Sequence, residues 1–133
     1  MKPPRLTGLK PGQAGEKWVA YLYQKKGYKV LFRNYELHGQ KKLGEIDIIC
    51  RTAHRLIMVE VKTRSSEEFM NLLETVDFRK QIMLRRMAKL FIMHHPEYEN
   101  YQVQIDVAAV LIDPFDNSIK SVKVIENAIE DSE

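Results

Sequence analysis

The sequence predicts a mixed α/β fold of the α+β kind, with one central sheet of about five strands flanked by helices. Three observations carry this. Five short runs are rich in β-branched and other apolar residues at strand length. Two longer stretches repeat their apolar residues at helical spacing, one before the first strand run and one between the third and fourth. Two strand runs stand only four residues apart, which calls for an antiparallel hairpin. At 133 residues the chain fits one domain, 1–133, with a single core.

Residues 1–12, with Pro3, Pro4, Pro11 and Gly12, read as a flexible arm. Gln13 to Lys26 reads as a helix with Trp18, Val19 and Leu22 on its apolar side, and Gly27 stops it. Tyr28 to Phe32 is the first strand run, and Asn34 to Leu43 reads as a polar loop. Glu45 to Arg51 and Leu56 to Lys62 form the hairpin around Thr52 to Arg55. Ser65 to Glu74 reads as a mobile connection. Thr75 to His94 is a long helix, with Val76, Ile82, Met83, Met87, Leu90 and Phe91 expected to bury most of its surface before Pro96 ends it. Gln102 to Ile112 and Ile119 to Ile125 are the last strands, joined by a turn-rich segment over 113–118. There is no internal repeat.

The composition is globular, 44% hydrophobic and 29% charged. No apolar run approaches the ~20 residues that span a bilayer, and Met1 to Gly12 has no apolar signal core. Cys50 is the single cysteine, so it reads as a buried strand residue in a protein of the reducing cytoplasm. Net charge is +3, yet residues 126–133 form an acidic tail with Glu126, Glu130, Asp131 and Glu133 and no base. The rest sets 21 basic against 14 acidic residues, a net +7. That excess suits a polyanionic partner such as nucleic acid.

The informative segments are Gly44-Glu45-Ile46-Asp47-Ile48-Ile49 and Val59-Glu60-Val61-Lys62-Thr63-Arg64. Strand periodicity places Glu45 and Asp47 on one face of their strand, and Glu60 and Lys62 on one face of the next. A hairpin closing on Arg51 and Leu56 counts back to Asp47 directly opposite Glu60. Opposed side chains stand with Cβ atoms about 5 Å apart, within reach of one cation. Like charges so placed destabilise a sheet unless Lys62 or a divalent ion compensates them. A solvated salt-bridge face is the ordinary alternative for such a trio. The apolar residues around it, Ile46, Ile48, Ile49, Ile57, Met58, Val59 and Val61, argue for central strands and a buried site.

An acidic residue followed by a strand bearing Glu-x-Lys resembles the signature of the PD-(D/E)xK nuclease superfamily, here Asp47 and Glu60-Val61-Lys62. More closely, the chain resembles the YraN-like family of uncharacterised bacterial endonuclease-like proteins. The resemblance runs through Gly15-Glu16, Arg33-Asn34, Gly44-Glu45-Ile46-Asp47 and Val59 to Arg64, then Lys80, Ala88, Asp106-Val107 and Glu126-Asn127-Ala128. It departs at Phe69-Met70, where the family often has a glycine after the aromatic. The resemblance implies a restriction-endonuclease-like fold and a metal-dependent DNA endonuclease or nickase, acting on branched or damaged DNA. It implies that Asp47, Glu60 and the Val61 carbonyl hold Mg²⁺ or Mn²⁺, that Lys62 orients water or stabilises phosphorane charge, and that Glu16 completes the metal shell. The alternative is a nucleic-acid-binding module that keeps the fold without useful turnover.

Lys80, Arg85 and Arg86, with Arg79 and Lys89, form a basic stretch of the long helix, either a DNA-facing stripe or a solvated face. Arg64 is a further nucleic-acid candidate. Glu45 reads as a supporting or solvent-facing residue and Asp106 as a structural, hydrogen-bonded carboxylate. His94 and His95 read as charge complement at a helix C-terminus. Oligomeric state stays open; cutting both strands of a duplex usually takes two sites, which a homodimer would supply.

Overall fold

In the computed structural model, which describes residues 1–65 and 77–129, a five-stranded mixed sheet is packed by one helix on each face. Helix α1 spans Pro11–Lys25, β1 Lys29–His38, β2 Lys42–Arg51, β3 Arg55–Arg64, helix α2 Phe78–His94, β4 Gln102–Ile112 and β5 Ile119–Ile125. Strand order follows the chain, β1-β2-β3-β4-β5. Every neighbouring pair is antiparallel except β3 and β4, which run parallel on either side of the segment that contains α2. Such a layout is compatible with the restriction-endonuclease-like mixed sheet expected above. Within the described residues no helix is long and apolar enough to cross a membrane.

The helix ends follow local chemistry. Pro11 sits at the first position of α1, where its fixed φ suits the turn and its missing N–H costs nothing. At the other end Gly27 adopts φ +96°, and the Tyr28 and Gly27 amides return to the Tyr23 and Gln24 carbonyls at 3.0 and 2.9 Å. Helix α2 is capped by Asp77, whose side chain accepts the Lys80 amide at 2.8 Å. Thr75 and Val76, expected inside this helix, lie outside the described residues, as does most of the expected connection through Glu74 with Phe69-Met70.

Alternation along the strands builds two cores. Leu56 and Met58 of β3 join Ile49, Ile105, Val107, Leu84, Met87 and Phe91 beneath α2. Ile57, Val59 and Val61 join Ile48, Cys50, Ala108, Val110, Val19 and Tyr23 beneath α1. Burial of Cys50 pushes its thiol up to about 12, as an inert strand residue should behave.

Several expectations need correcting. The segment read as a polar loop over 34–43 is largely strand: β1 continues to His38, turns at Gly39 to Lys41, and β2 starts at Lys42. As an edge strand β1 can carry polar side chains, and Lys42 pairs with Glu36 and Glu45 at 3.0 and 3.1 Å. The buried stripe of α2 is Leu84, Met87, Ala88 and Phe91, whereas Ile82 is exposed and Met83 and Leu90 are half-buried. In α1 the buried residues are Ala14, Gly15, Val19, Ala20, Tyr21 and Tyr23, with Trp18 and Leu22 half-buried.

Both termini are tied to the sheet. Asn117 donates to the Leu6 and Leu9 carbonyls at 3.0 and 2.7 Å. Asp106, 1% exposed, accepts from the Tyr23 hydroxyl at 2.5 Å and from Gln104 and the Asn127 amide, both at 2.9 Å. It is thus a satisfied structural carboxylate. Its bond to Asn127 turns residues 126–129 back on the sheet and buries Ile129, while residues 130–133 of the acidic tail lie outside the described residues.

Candidate active site

The β2–β3 ladder runs Arg51↔Leu56, Cys50↔Ile57, Ile49↔Met58 and Ile48↔Val59, the register that the four-residue loop implies. The next step would set Asp47 against Glu60, but regular pairing ends there. Instead Asp47 Oδ2 accepts the Val61 amide at 2.8 Å, a side chain standing in for the missing ladder bond. Ile46 packs under α2 with Ile49, although strict alternation would group it with Ile48. The period of β2 therefore slips at Asp47, and its carboxylate lies where the two strands part.

Around that gap three carboxyl groups and two lysines assemble. Asp47 and Glu60 are buried, at 9% and 3% exposure. Glu60 continues the Leu56–Met58 line of β3, so it faces α2, and its Oε2 lies 3.4 Å from Lys80 Nζ. Lys62, two residues along β3, reaches Glu60 Oε1 at 3.8 Å. Oε2 is buried without a hydrogen bond, since Lys80 stands at ion-pair distance but outside hydrogen-bonding geometry. On the opposite side half-buried Glu16 of α1 interacts with Asp47. Asp47 thus links a carboxyl group on each face of the sheet.

Electrostatics follow from this arrangement. Burial, reinforced by Asp47, raises Glu60 from 4.5 to about 7 against the opposing pull of Lys80 and Lys62. Burial, again reinforced by Asp47, raises Glu16 to about 7, with Arg33 opposing. Two carboxyl groups poised near neutrality beside a third is the pattern that permits proton transfer at working pH.

Two glycines let the helices come this close. A Cβ on Gly15 would collide with Thr63 Oγ1 and stand 3.1 Å from Thr63 Cβ, so bare helix backbone packs on β3 and sets Glu16 by Asp47. A Cβ on Gly44 would meet Met83 Sδ at 2.7 Å and Met87 Cγ at 3.0 Å, so α2 lies tight on β2. These glycines are legible in sequence as part of the resemblance, but their function as contact points is not.

Among the described residues, no group of three or more His, Cys, Asp or Glu side chains is disposed to hold a metal ion. The residues that fit such an ion are the neighbouring pair Asp47 and Glu60, the latter with a buried Oε2 that accepts no hydrogen bond and has the Lys80 ammonium 3.4 Å away. Glu16 meets Asp47 without joining a three-carboxylate cage. Of the other sequence candidates, Glu45 adds to the rise of Glu16. Arg64 donates to the Thr63 carbonyl at 2.8 Å and lines a cavity of about 260 Å³ with Pro11, Thr63 and Ile112. Arg85 is half-buried and Arg86 exposed on α2. Glu45 pairs with Lys42 at 3.1 Å as an outward-facing residue. His95 stacks on Phe91 at 4.2 Å, with Nδ1 3.0 Å from the Phe91 carbonyl, a packing role rather than a ligand.

Residues 15–110 match the model of the Uncharacterised protein family UPF0102. A UPF0102 protein of Caldanaerobacter subterraneus subsp. tengcongensis is 37% identical over 88% of this chain and 92% of its own length. One from Natranaerobius thermophilus is 39% identical over 75% of this chain and 82% of its own. A third, from Moorella thermoacetica, is 36% identical over 92% and 98% respectively.

Proposed function

The chain belongs to the UPF0102 family, and from the geometry of its site we propose a metal-dependent endonuclease or nickase that hydrolyses phosphodiester bonds in DNA, including branched or damaged DNA. The observation that carries this reading is the pair of buried, interacting carboxyl groups, Asp47 and Glu60, with Lys62 3.8 Å from Glu60, where β2 and β3 part. Burying charge is costly, and a salt-bridge face has no need to do it.

Asp47 and Glu60, with the Val61 carbonyl, would hold Mg²⁺ or Mn²⁺. The ion supplies Lewis acidity and charge neutralisation for in-line hydrolysis of a phosphodiester. Lys62, only about a fifth exposed, presents ammonium donors to the phosphoryl group as negative charge accumulates on it. Glu16, at about 7, can take up or release a proton beside Asp47 at neutral pH. Arg64, Arg85 and Arg86 add positive charge for the phosphate backbone, giving affinity without sequence preference.

The test is Mn²⁺-dependent cleavage of linear, nicked and four-way DNA substrates by wild type and by Asp47→Ala, Glu60→Ala and Lys62→Ala purified in parallel. Cleavage is expected to vanish in all three variants, while Lys62→Ala keeps its metal affinity because lysine does not ligate the ion. Equal cleavage by all four proteins would point to contamination and dispose of the site. DNA binding without cleavage by wild type would favour a binding module on the same fold.

A further inference from the structure

The cation arrangement around Glu60 contains one ammonium more than the nuclease reading uses. Lys62 and Lys80 both lie within ion-pair distance of the same carboxylate, at 3.8 and 3.4 Å. On the Glu60 side, leaving Glu16 across Asp47 as the protonated form its raised value favours, two carboxylates, Glu60 and Asp47, stand against two ammonium groups. A divalent ion added there would leave two positive charges in excess in a largely buried place, a costly arrangement. Withdrawal of one ammonium would relieve half of that excess.

The geometry decides which. Lys62 belongs to β3, whose backbone is fixed by parallel pairing with β4 at Lys62↔Ala109, two residues from Glu60 itself. Lys80 arrives from a separate element, the first turn of α2, with its side chain 29% exposed. Its backbone amide is anchored by the Asp77 cap at 2.8 Å, so the helix stays put and the four-carbon stem alone can swing out. The oxygen it neutralises, Glu60 Oε2, makes no hydrogen bond, so leaving breaks none.

We propose that Lys80 is a displaceable counter-ion, an ammonium that holds the cation position beside Glu60 in the metal-free protein and competes with the divalent ion for it. This rests on the metal reading of the Asp47–Glu60 pair and adds to it a built-in restraint on metal affinity. Once displaced, Lys80 stands at the rim of the site, with its charge available to the phosphate of an incoming strand.

The test measures Mn²⁺ affinity of the whole chain directly, by electron paramagnetic resonance of free Mn²⁺ during titration, without substrate. Lys80→Met is expected to tighten Mn²⁺ binding about tenfold, equivalent to about 1.4 kcal/mol. Lys80→Arg keeps the charge and should stay within about threefold of wild type on the same scale. Lys89→Met removes one positive charge from an exposed position of the same helix and should change little. Tightening by Lys89→Met equal to that of Lys80→Met would reduce the effect to net charge and overturn the assignment. Wild-type affinity in Lys80→Met, together with loss of binding in Asp47→Ala, would overturn the counter-ion while leaving the metal site intact. No Mn²⁺ binding by wild type or Lys80→Met would remove the metal reading and this inference together.

Discussion

Glu60→Gln separates a strained metal site from an ion-paired structural cluster, and the sign of its effect follows from the side chain's surroundings. Folded Glu60 holds its proton up to about 7, whereas an ordinary glutamate releases it near 4.5. Between those values the native state carries more protons than the unfolded state, so stability falls as pH rises. The penalty is absent below the unfolded value, grows through the window from about 4.5 to about 7, and is complete above it. The side chain is 4% exposed, so solvent screens little of this. At about 1.4 kcal/mol per unit the full penalty is on the order of 3 kcal/mol. The attraction of Lys80 and Lys62 is already included, because the net shift is upward in spite of both.

Glutamine matches the protonated form in shape and never ionises. In chelator at pH 5, Glu60→Gln and wild type should therefore unfold at similar urea concentrations. At pH 8 the variant should be more stable by about 1 to 3 kcal/mol. Adding Mn²⁺ at roughly ten times Kd should return about 1.4 kcal/mol to wild type and much less to the variant. Urea denaturation at both pH values, with chelator or metal, reads all of this. A variant less stable than wild type at pH 8, with wild type indifferent to metal, would refute the reasoning, because the lysine ion pairs would then outweigh burial and the Asp47 charge.

Two further perturbations probe the supports of the site. Gly15→Ala forces a methyl into Thr63; overpacking of about 1–3 kcal/mol against about 1 kcal/mol of improved helix propensity should leave a net loss near 1 kcal/mol, or about 3–5 °C in Tm. Pairing it with Thr63→Ala should recover most of that loss in a double-mutant cycle; a Gly15→Ala protein that melts higher than wild type would mean α1 is not pressed on β3. Asp47→Asn should lower both Glu16 and Glu60 toward the ordinary 4.5, since Asp47 contributes to both shifts, and carboxyl-carbon NMR titration would show it. Unmoved midpoints would leave burial as the only cause.

The hairpin register was legible because it depends only on a loop length and a period of two, and both are visible in Arg51-Thr52-Ala53-His54-Arg55-Leu56. The last two strands and the Gly27 stop were legible for similar local reasons. The outer half of β1 was not. Asn34, Glu36 and His38 read as loop because an edge strand can leave such groups in water, and Asn34 takes φ +53° within it. Tyr35 and Leu37, alternating before Gly39, were the available signal. In α2 the chosen stripe favoured large residues, whereas the buried one, Leu84-Met87-Ala88-Phe91, keeps strict helical spacing and includes an alanine. Lys80 read only as part of a DNA-facing stripe or a solvated face; its place beside Glu60 depends on how α2 is seated, which the spacing within one helix does not encode.

The seating of both helices explains why this site needs more of the chain than its five charged residues. Asp47 lies where β2 leaves β3, so beyond Ile48↔Val59 the ladder holds it from the β1 side alone, between Arg33↔Ile48 and Tyr35↔Ile46. Its place is fixed by one bond to the Val61 amide and by carboxyl groups brought in from both faces, Glu16 above and Glu60 below. Glu16 depends on the close approach of α1 to β3 at Gly15, and Lys80 on that of α2 to β2 at Gly44. A side chain at either glycine would push one helix outward by a fraction of an ångström and separate Glu16 from Asp47, or Lys80 from Glu60. Gly15-Glu16 is therefore a single device, in which the glycine sets a distance and the acid beside it uses it. The geometry of the charged cluster and the packing of the helices are here one quantity, set at these two glycines.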